Sequence, residues 1–159
     1  MIRRAVLADY PELLQVYAAA RTIMQQSGNP TQWGESKPEP EQIAADIQNG
    51  NGYVVEREGR ICGAFALLFG ADPTYSVIDG AWQSDRPYAT LHRVASNGMQ
   101  KGVLHECLAY CDTRISNLRI DTHENNRIMQ HLLQKEGFVR CGTIRLLNGD
   151  PRIAYQRER

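Results

Sequence analysis

One segment restricts the fold more than any other: residues 92–111, which read HRVASNGMQKGVLHECLAYC. Its first part alternates like a strand, Asn97-Gly98 breaks the pattern, and apolar residues then recur at helical spacing. A helix that begins at Gly102, directly after this turn, gathers backbone N–H groups at its positive end. The segment therefore predicts a cradle for a diphosphate, with Lys101 adding charge at the rim. A purely structural turn is the alternative interpretation.

The rest of the chain alternates between the two periodicities. The predicted order is β-α-α-β-β-β-α-β-α-β-β, which is typical of an α/β layer protein. Strands are predicted at residues 2–6, 52–58, 60–69, 88–96, 118–122, 138–147 and 153–156. Helices are predicted at residues 9–27, 40–49, 102–115 and 126–137. With 159 residues and no linker or repeat, we expect one domain over 1–159.

Composition excludes several classes of function. The 18 basic and 18 acidic residues cancel, so nothing points to nucleic acid as a partner. No apolar run approaches the roughly 20 residues that a membrane span needs. The N-terminus runs into a strand without a signal-peptide core, so we expect a cytoplasmic protein. A monomer and a homodimer both stay open, since edge strands near the C-terminus offer a pairing surface.

The cysteines raise the question of a metal site. Cys107 and Cys111 lie four apart on a predicted helix with His105 nearby, which makes zinc an alternative. His105 and Cys107, however, are two apart and point to different faces of that helix. We therefore predict reduced thiols that pack as small apolar side chains, and no metal. Cys62 and Cys141 lie in strand-like runs and are interpreted in the same way.

A second segment resembles a known family. Residues 121–138, DTHENNRIMQHLLQKEGF, are similar to the pattern Asn-x-x-Ala-x-x-Leu-Tyr-x-Lys-x-Gly-Phe of the Gcn5-related N-acetyltransferase (GNAT) superfamily. The family's loop Arg/Gln-x-x-Gly-x-Gly/Ala falls on residues 99–104. Matches to the two patterns are Gly102, Asn126, Leu132, Lys135, Gly137 and Phe138; departures are Met99, Leu104, Met129 and Leu133. The predicted order of helices and strands also resembles that of the family, so the resemblance covers nearly the whole chain. It points to a bacterial subgroup of unassigned substrate.

The resemblance implies a GNAT fold. This is a mixed, mostly antiparallel sheet of six to seven strands flanked by about four helices, with the fourth and fifth strands splayed apart. Acetyl-CoA would be the co-substrate, its pantetheine arm lying in the gap between those strands. The residues implied in its binding are Val94, Ala95 and Ser96 on the fourth strand, Met99, Gln100, Lys101, Gly102, Val103 and Leu104 in the loop, and Asn126 and Met129 opposite.

The implied reaction is direct transfer of an acetyl group from acetyl-CoA to a primary amine, either of a small molecule or exposed on a protein. His92 is the predicted general base, although a hydrogen-bonded histidine on a sheet face is the alternative. His123 is the reserve, at the end of the fifth predicted strand, where helix capping is the other interpretation. A different class stays open: an acyl-CoA-binding or sensing module, favoured by Met99, Leu104 and Leu133.

The acceptor amine is assigned to polar and aromatic side chains in the loops. An acid together with aromatic rings can hold a cationic amine. The predicted substrate residues are Trp33, Asp79, Trp82 and Glu124. The two tryptophans have a second interpretation, in which they cap the core. Glu124 has a second interpretation as part of a solvated turn.

Overall fold

One continuous sheet crosses the whole molecule. The computed structural model describes residues 1–159. Its strands are β1 (Ile2–Arg4), β2 (Gly52–Arg57), β3 (Arg60–Phe69), β4 (Asp79–Gly80), β5 (Ala89–Ser96), β6 (Asn117–Thr122), β7 (Val139–Arg145) and β8 (Pro151–Glu158). The helices are α1 (Tyr10–Gln26), α2 (Pro40–Gln48), α3 (Val103–Asp112) and α4 (Arg127–Lys135). None of the helices has the length and apolarity that crossing a bilayer requires.

The sheet has the order β1-β2-β3-β5-β6-β8-β7-β4. Only β5 and β6 run parallel, so the predicted mixed, mostly antiparallel architecture is confirmed. The sequence pattern misses one strand, β4, whose two residues pair with Gly142 and Thr143. A strand this short carries no periodicity, and its presence makes the fourth and fifth predicted strands β5 and β6.

The parallel pair separates soon after it forms. Backbone pairing joins Ala89 to Leu118 and Thr90 to Arg119, and no further pair follows. Beyond this point the β6-facing edge of β5 has no neighbouring strand, whereas its other edge stays paired with β3 as far as Ser96. The predicted splay is therefore present, and it leaves a notch between the two strands that we call the β5–β6 notch.

A bulge in β5 accompanies the splay. Arg93 has φ 52, in the left-handed region that non-glycine residues rarely adopt. The β3–β5 register shifts at the same place, between Ala64 and Ala66. Neighbouring helices hold the bulge: the Tyr17 hydroxyl donates to the Arg93 carbonyl at 2.8 Å, and the Arg93 guanidinium binds Asp46 at 2.7 and 2.8 Å.

Apolar cores cover both faces of the sheet. One, beneath α1 and α2, includes Leu13 and Val54. The other, beneath α3 and α4, includes Cys107, Cys111 and Leu133, whose side chains are fully buried. The two thiols thus pack among apolar neighbours, and burial raises the pKa of both. Both cores bear directly on β5, so they fix the strand that borders the notch.

A close approach between β3 and α3 gives a stability prediction. A Cβ built on Gly63 would lie 2.6 Å from the Val103 Cγ1 atom and 3.0 Å from the Ala95 carbonyl oxygen. Gly63→Ala should therefore lower the free energy of unfolding by about 1–3 kcal/mol through overpacking. Gly52→Ala is the matched control, because its added Cβ would meet nothing closer than 3.4 Å. Equal urea midpoints for the two variants would show that α3 does not press on β3 as described.

Candidate functional site

Two cavities open from the β5–β6 notch. The α3 cavity, of about 720 Å³, is bordered by the C-terminal end of α1, the end of β5, the start of α3 and one side of α4. The hairpin cavity, of about 710 Å³, is bordered by the loop after α1, the middle of β5, the end of β6 and the β7–β8 hairpin. Both are lined by Met24, Val94, Asn126 and Met129, so they meet at the notch.

The α3 cavity presents free backbone donors. Gly98 N and Met99 N turn back onto the side chains of Ser96 and Asn97 at 3.2 and 2.9 Å. From Gln100 to His105 no backbone N–H has an acceptor in the protein; the next one, of Glu106, bonds to the Gly102 carbonyl at 3.1 Å. Unsatisfied N–H groups at a helix N-terminus form a ready anion site. Gly102, with φ 76, supplies the left-handed turn into the helix.

Most of the predicted cofactor residues line the α3 cavity. They are Val94, Ala95, Ser96, Gln100, Lys101, Gly102, Val103, Leu104, Asn126 and Met129. Met99 does not, because its side chain turns outward and the residue is 78% exposed. Leu104, the bulky departure from the family loop, is 7% exposed and belongs to the core beneath α3, so most of its side chain packs inward.

Asn126 has a structural task at the wall shared by the cavities. Its Oδ1 accepts from the Met129 N–H at 3.0 Å, which caps α4. Its Nδ2 donates to Gln32 Oε1 at 3.0 Å, and Asn29 donates to the same oxygen at 2.7 Å. This network ties the loop after α1 to the start of α4 and closes the wall of the notch.

A histidine that lines the hairpin cavity is paired with a carboxylate outside the lining. His92 Nε2 lies 2.8 Å from Asp72 Oδ2, and Thr74 donates to Oδ1 through its N–H and its hydroxyl at 2.9 and 2.7 Å. Burial alone would raise the pKa of Asp72, but these hydrogen bonds outweigh it and lower the pKa to about 2. An ionised carboxylate can only accept, so Nε2 carries a hydrogen, and in the neutral imidazole the lone pair is on Nδ1.

A second carboxylate lies next to this pair. Asp121 on β6 borders the hairpin cavity and accepts a 2.6 Å hydrogen bond from the Tyr75 hydroxyl. Burial raises the pKa of Asp121, against the lowering effect of Tyr75, His92 and Arg152. Neither Asp72 nor Asp121 is assigned a role from the sequence, whereas Tyr75 is among the loop aromatics that could hold a cationic amine. The motif Asp72-Pro73-Thr74, an N-cap before a 3-10 turn, is the one local signal that could mark this segment.

The reserve base is held by its own turn. His123 Nδ1 accepts the Asn125 N–H at 3.0 Å, and Nε2 meets the Thr31 hydroxyl at 3.2 Å. Burial and the field of Arg152 lower the pKa of His123. Both ring nitrogens are thus engaged, which favours the capping interpretation. Glu124 is exposed and borders neither cavity, so its position does not support a role in binding substrate.

The predicted aromatic residues separate in space. Trp33 borders the hairpin cavity and packs on Tyr17 at 5.8 Å between ring centroids. Trp82 borders neither cavity; it donates to the Tyr75 carbonyl at 3.0 Å and covers the guanidinium of Arg119 at 4.0 Å.

Asp79 is also outside both cavities, exposed at the sheet edge where β4 pairs with β7. The positions of Asp79 and Trp82 therefore do not support their assignment to substrate binding, because β4 carries this stretch to the far edge. The acid of this loop that reaches the site is Asp72.

The same architecture is found in solved structures of known acetyltransferases. A GNAT-family acetyltransferase from Streptococcus agalactiae superposes with a TM-score of 0.89 and 29% sequence identity, over 100% of this chain and 95% of that chain. The chain belongs to the GNAT superfamily. No family model and no curated protein matches this GNAT protein.

More distant GNAT structures share the fold. A ribosomal-protein-alanine N-acetyltransferase from Brucella melitensis has a TM-score of 0.65 and 22% identity, over 100% of this chain and 99% of that one. A phosphinothricin acetyltransferase from Sinorhizobium meliloti, in complex with AcCoA, has a TM-score of 0.63 and 15% identity, over 99% of this chain and 87% of that one. These two show the fold alone, whereas the Streptococcus agalactiae acetyltransferase supports acetyl transfer as the general chemistry.

The His92–Asp72 pair predicts an unusual titration. The carboxyl ¹³C signal of Asp72 should titrate near pH 2, as the value of about 2 for its pKa requires. Since this pKa is depressed, the interaction stabilises the fold above about pH 4 and is lost as the pH falls toward 2. In His92→Ala the midpoint of the Asp72 titration should lie at higher pH, because the carboxylate has lost the Nε2–H donor while it is still buried. An ordinary midpoint in the parent would mean that the pair does not form in solution.

Proposed function

We propose that this GNAT protein is an acetyl-CoA-dependent N-acetyltransferase that acts on a primary amine. The observation that carries the proposal is the meeting of two cavities at the β5–β6 notch, with free backbone donors in one and the His92–Asp72 pair in the other. Acetyl-CoA would lie in the α3 cavity and the amine in the hairpin cavity. The complex of a related fold with AcCoA supports this choice of co-substrate.

The α3 cavity suits coenzyme A in both charge and shape. The free N–H groups from Gln100 to His105 match a diphosphate, and Lys101 adds a cation beside them. The unpaired edge of β5 from Val94 to Ser96 offers backbone groups to the amides of a pantetheine arm, as an added strand would use them. Acetyl-CoA supplies an acetyl group activated as a thioester.

His92 acts as the general base in this proposal. An aliphatic amine has a pKa of about 10.4, so it arrives as ammonium and must lose a proton before it can attack. The free lone pair of His92 Nδ1 takes that proton, while Asp72 holds Nε2–H and offsets the charge of the imidazolium. Asp121 attracts the incoming ammonium with its carboxylate, which the Tyr75 hydroxyl orients.

The amine nitrogen then attacks the thioester carbonyl and the new C–N bond forms. The nitrogen, now positively charged, releases a second proton to solvent, and the C–S bond breaks to leave the amide and the CoA thiolate. The residue at the family's usual tyrosine position, Leu133, is fully buried and has no proton to give. A thiol has a pKa of about 8.5, so a thiolate is a fair leaving group and takes its proton from water. Orientation and proton removal, rather than acid catalysis from α4, are the contributions of this chain.

An acyl-CoA-binding or sensing module is the other candidate. Two departures from the family loop, Met99 and Leu104, favour this module in the sequence. They are weaker arguments for it in the structure, because Met99 turns away from the cavity and Leu104 packs inward. A module that only binds acyl-CoA also has no use for His92, Asp72 and Asp121 beside the notch. Release of free thiol from acetyl-CoA with a panel of amines supports the enzyme. Thermal stabilisation by acetyl-CoA, without thiol release for any amine, supports the module.

The cradle is tested at Gly102. Acetyl-CoA should raise the melting temperature of the parent by mass action. Gly102→Asp should abolish most of that shift, because its charge repels the diphosphate. Gly102→Asn is the matched control: it has the same size, no charge, and a good tolerance of the left-handed conformation. Both variants should fold, since a Cβ at Gly102 meets no protein atom within 4 Å. Equal CoA affinity in both would refute this cradle.

The base is tested at His92. His92→Ala should lower kcat by roughly 10²-fold or more, with CoA affinity nearly unchanged. The acidic limb that an imidazole base gives to the pH–rate profile should vanish with it. Asp72→Asn should lower kcat by about tenfold or more, since the tautomer and the charge balance are lost. His131→Ala is the control, on the exposed surface of α4 and outside both cavities. A parent-like rate and pH limb in His92→Ala would show that another group is the base.

A further inference from the structure

The hairpin cavity holds a buried cation without an anionic partner. Arg152 on β8 borders this cavity and is only 7% exposed. It forms no ion pair, and its guanidinium donates to the Pro151 carbonyl at 2.9 Å and to the Gln32 carbonyl at 3.5 Å. A buried charge is expensive unless it is paired. The remaining N–H groups of this guanidinium have no acceptor within the chain.

The other buried arginines are accounted for by their surroundings. Arg157 binds Asp112 at 2.6 Å. Arg119 has no carboxylate either, but it lies between the rings of Trp82 and Tyr88 at 4.0 and 3.9 Å and borders neither cavity. Arg152 thus differs from both, because it is buried, lacks a carboxylate and faces a space large enough for a ligand.

The remaining charges of the hairpin cavity do not neutralise Arg152. Lys37 pairs with Glu39, and the guanidinium of Arg93 pairs with Asp46 outside the cavity lining. The acids Glu41 and Asp150 are exposed. Asp121 accepts from Tyr75 and influences Arg152 only through its field, since no carboxylate oxygen lies within ion-pair distance of Arg152. An anionic group of a ligand would therefore complete this site.

The sheet register places Arg152 near the proposed ammonium site. Asp121 on β6 pairs with Ala154 on β8, and Arg152, two residues before Ala154, lies on the same face. His92, on β5, faces the same cavity from the other side of Asp121. The paired strands β6 and β8 are about 4.8 Å apart, so the anion subsite at Arg152 is adjacent to the cation subsite at Asp121. The lowering effect of Arg152 on the pKa of Asp121 agrees with this proximity.

We infer that Arg152 binds the carboxylate of a free amino acid, whose α-amine lies against His92 and Asp121. The inference rests on the proposed function and names its acceptor class. In a free amino acid the ammonium and the carboxylate share one carbon, which matches adjacent subsites of opposite charge. The N-terminus of a peptide has an amide in place of that carboxylate, and a lysine side chain on a protein carries its amine far from any carboxylate. A guanidinium binds a carboxylate through two parallel hydrogen bonds.

The test compares matched acceptors and matched variants. Each amino acid is paired with its amide and with the amine that lacks the carboxylate, and kcat/KM is measured by thiol release from acetyl-CoA. We expect the parent to prefer the acid, and Arg152→Gln to lose roughly 10²-fold or more on acids, mainly in KM, with little change on the amines. Arg152→Lys keeps the positive charge but not the two parallel N–H donors of the guanidinium, so its kcat/KM on acids should lie between those of the parent and Arg152→Gln. Arg145→Gln, an exposed cation of the same hairpin outside the cavity, should behave like the parent.

Binding is measured separately, by calorimetry of amino acids with the parent and with Arg152→Gln in the presence of CoA. Amino acids that bind the parent and not Arg152→Gln support the inference even when no thiol is released, an outcome that would count against the proposed function alone. Three results overturn it: amines without a carboxylate match the acids, O-phosphoethanolamine is preferred to every acid, or the parent binds no amino acid. Thermal unfolding of each variant verifies that it is folded.

Discussion

The site depends on how the bulge at Arg93 is held. A non-glycine residue with φ 52 is costly, and it persists here because Tyr17 of α1 binds its carbonyl and Asp46 of α2 binds its guanidinium. With the bulge in place, β5 keeps β3 as a neighbour on one edge while its other edge is free of β6. The notch, and therefore the meeting of the two cavities, follows from contacts that α1 and α2 make with the bulged residue.

The segment between β3 and β5 supports the chemistry of the site. A 3-10 turn at Pro73–Tyr75 brings Asp72 to His92 and the Tyr75 hydroxyl to Asp121. One short turn thus orients the imidazole on β5 and the carboxylate on β6. Trp82 stabilises this turn in its place through its bond to the Tyr75 carbonyl. The loop is long because it must do this and also reach the far edge of the sheet as β4.

The sequence predicts the parts of this molecule that are encoded locally. The order of elements, the turn at Gly102 and the position of His92 on a strand follow from periodicity and turn residues, and the family resemblance supplied the splay. The roles of Asp72, Asp121 and Arg152 could not be assigned in this way. Asp72 and Asp121 meet partners that are distant in the sequence, and Arg152 is distinguished only by having no anionic partner in the folded chain. Asp72 lies 20 residues from His92, and Tyr75 lies 46 from Asp121. Asp79 and Trp82 share the loop of Asp72, and only the pairing of β4 separates them from the site.

The two cavities recognise their ligands through different parts of the chain. The α3 cavity offers main-chain N–H groups, which any sequence able to make the turn and helix supplies, and the departures at Met99 and Leu104 leave them in place. The hairpin cavity offers side chains, each of which a single substitution can replace. Substitutions therefore affect the two cavities unequally. They can change the ligand that the hairpin cavity binds while the main-chain donors at α3 stay in place, so proteins that share this diphosphate site can differ in the acceptor that they modify.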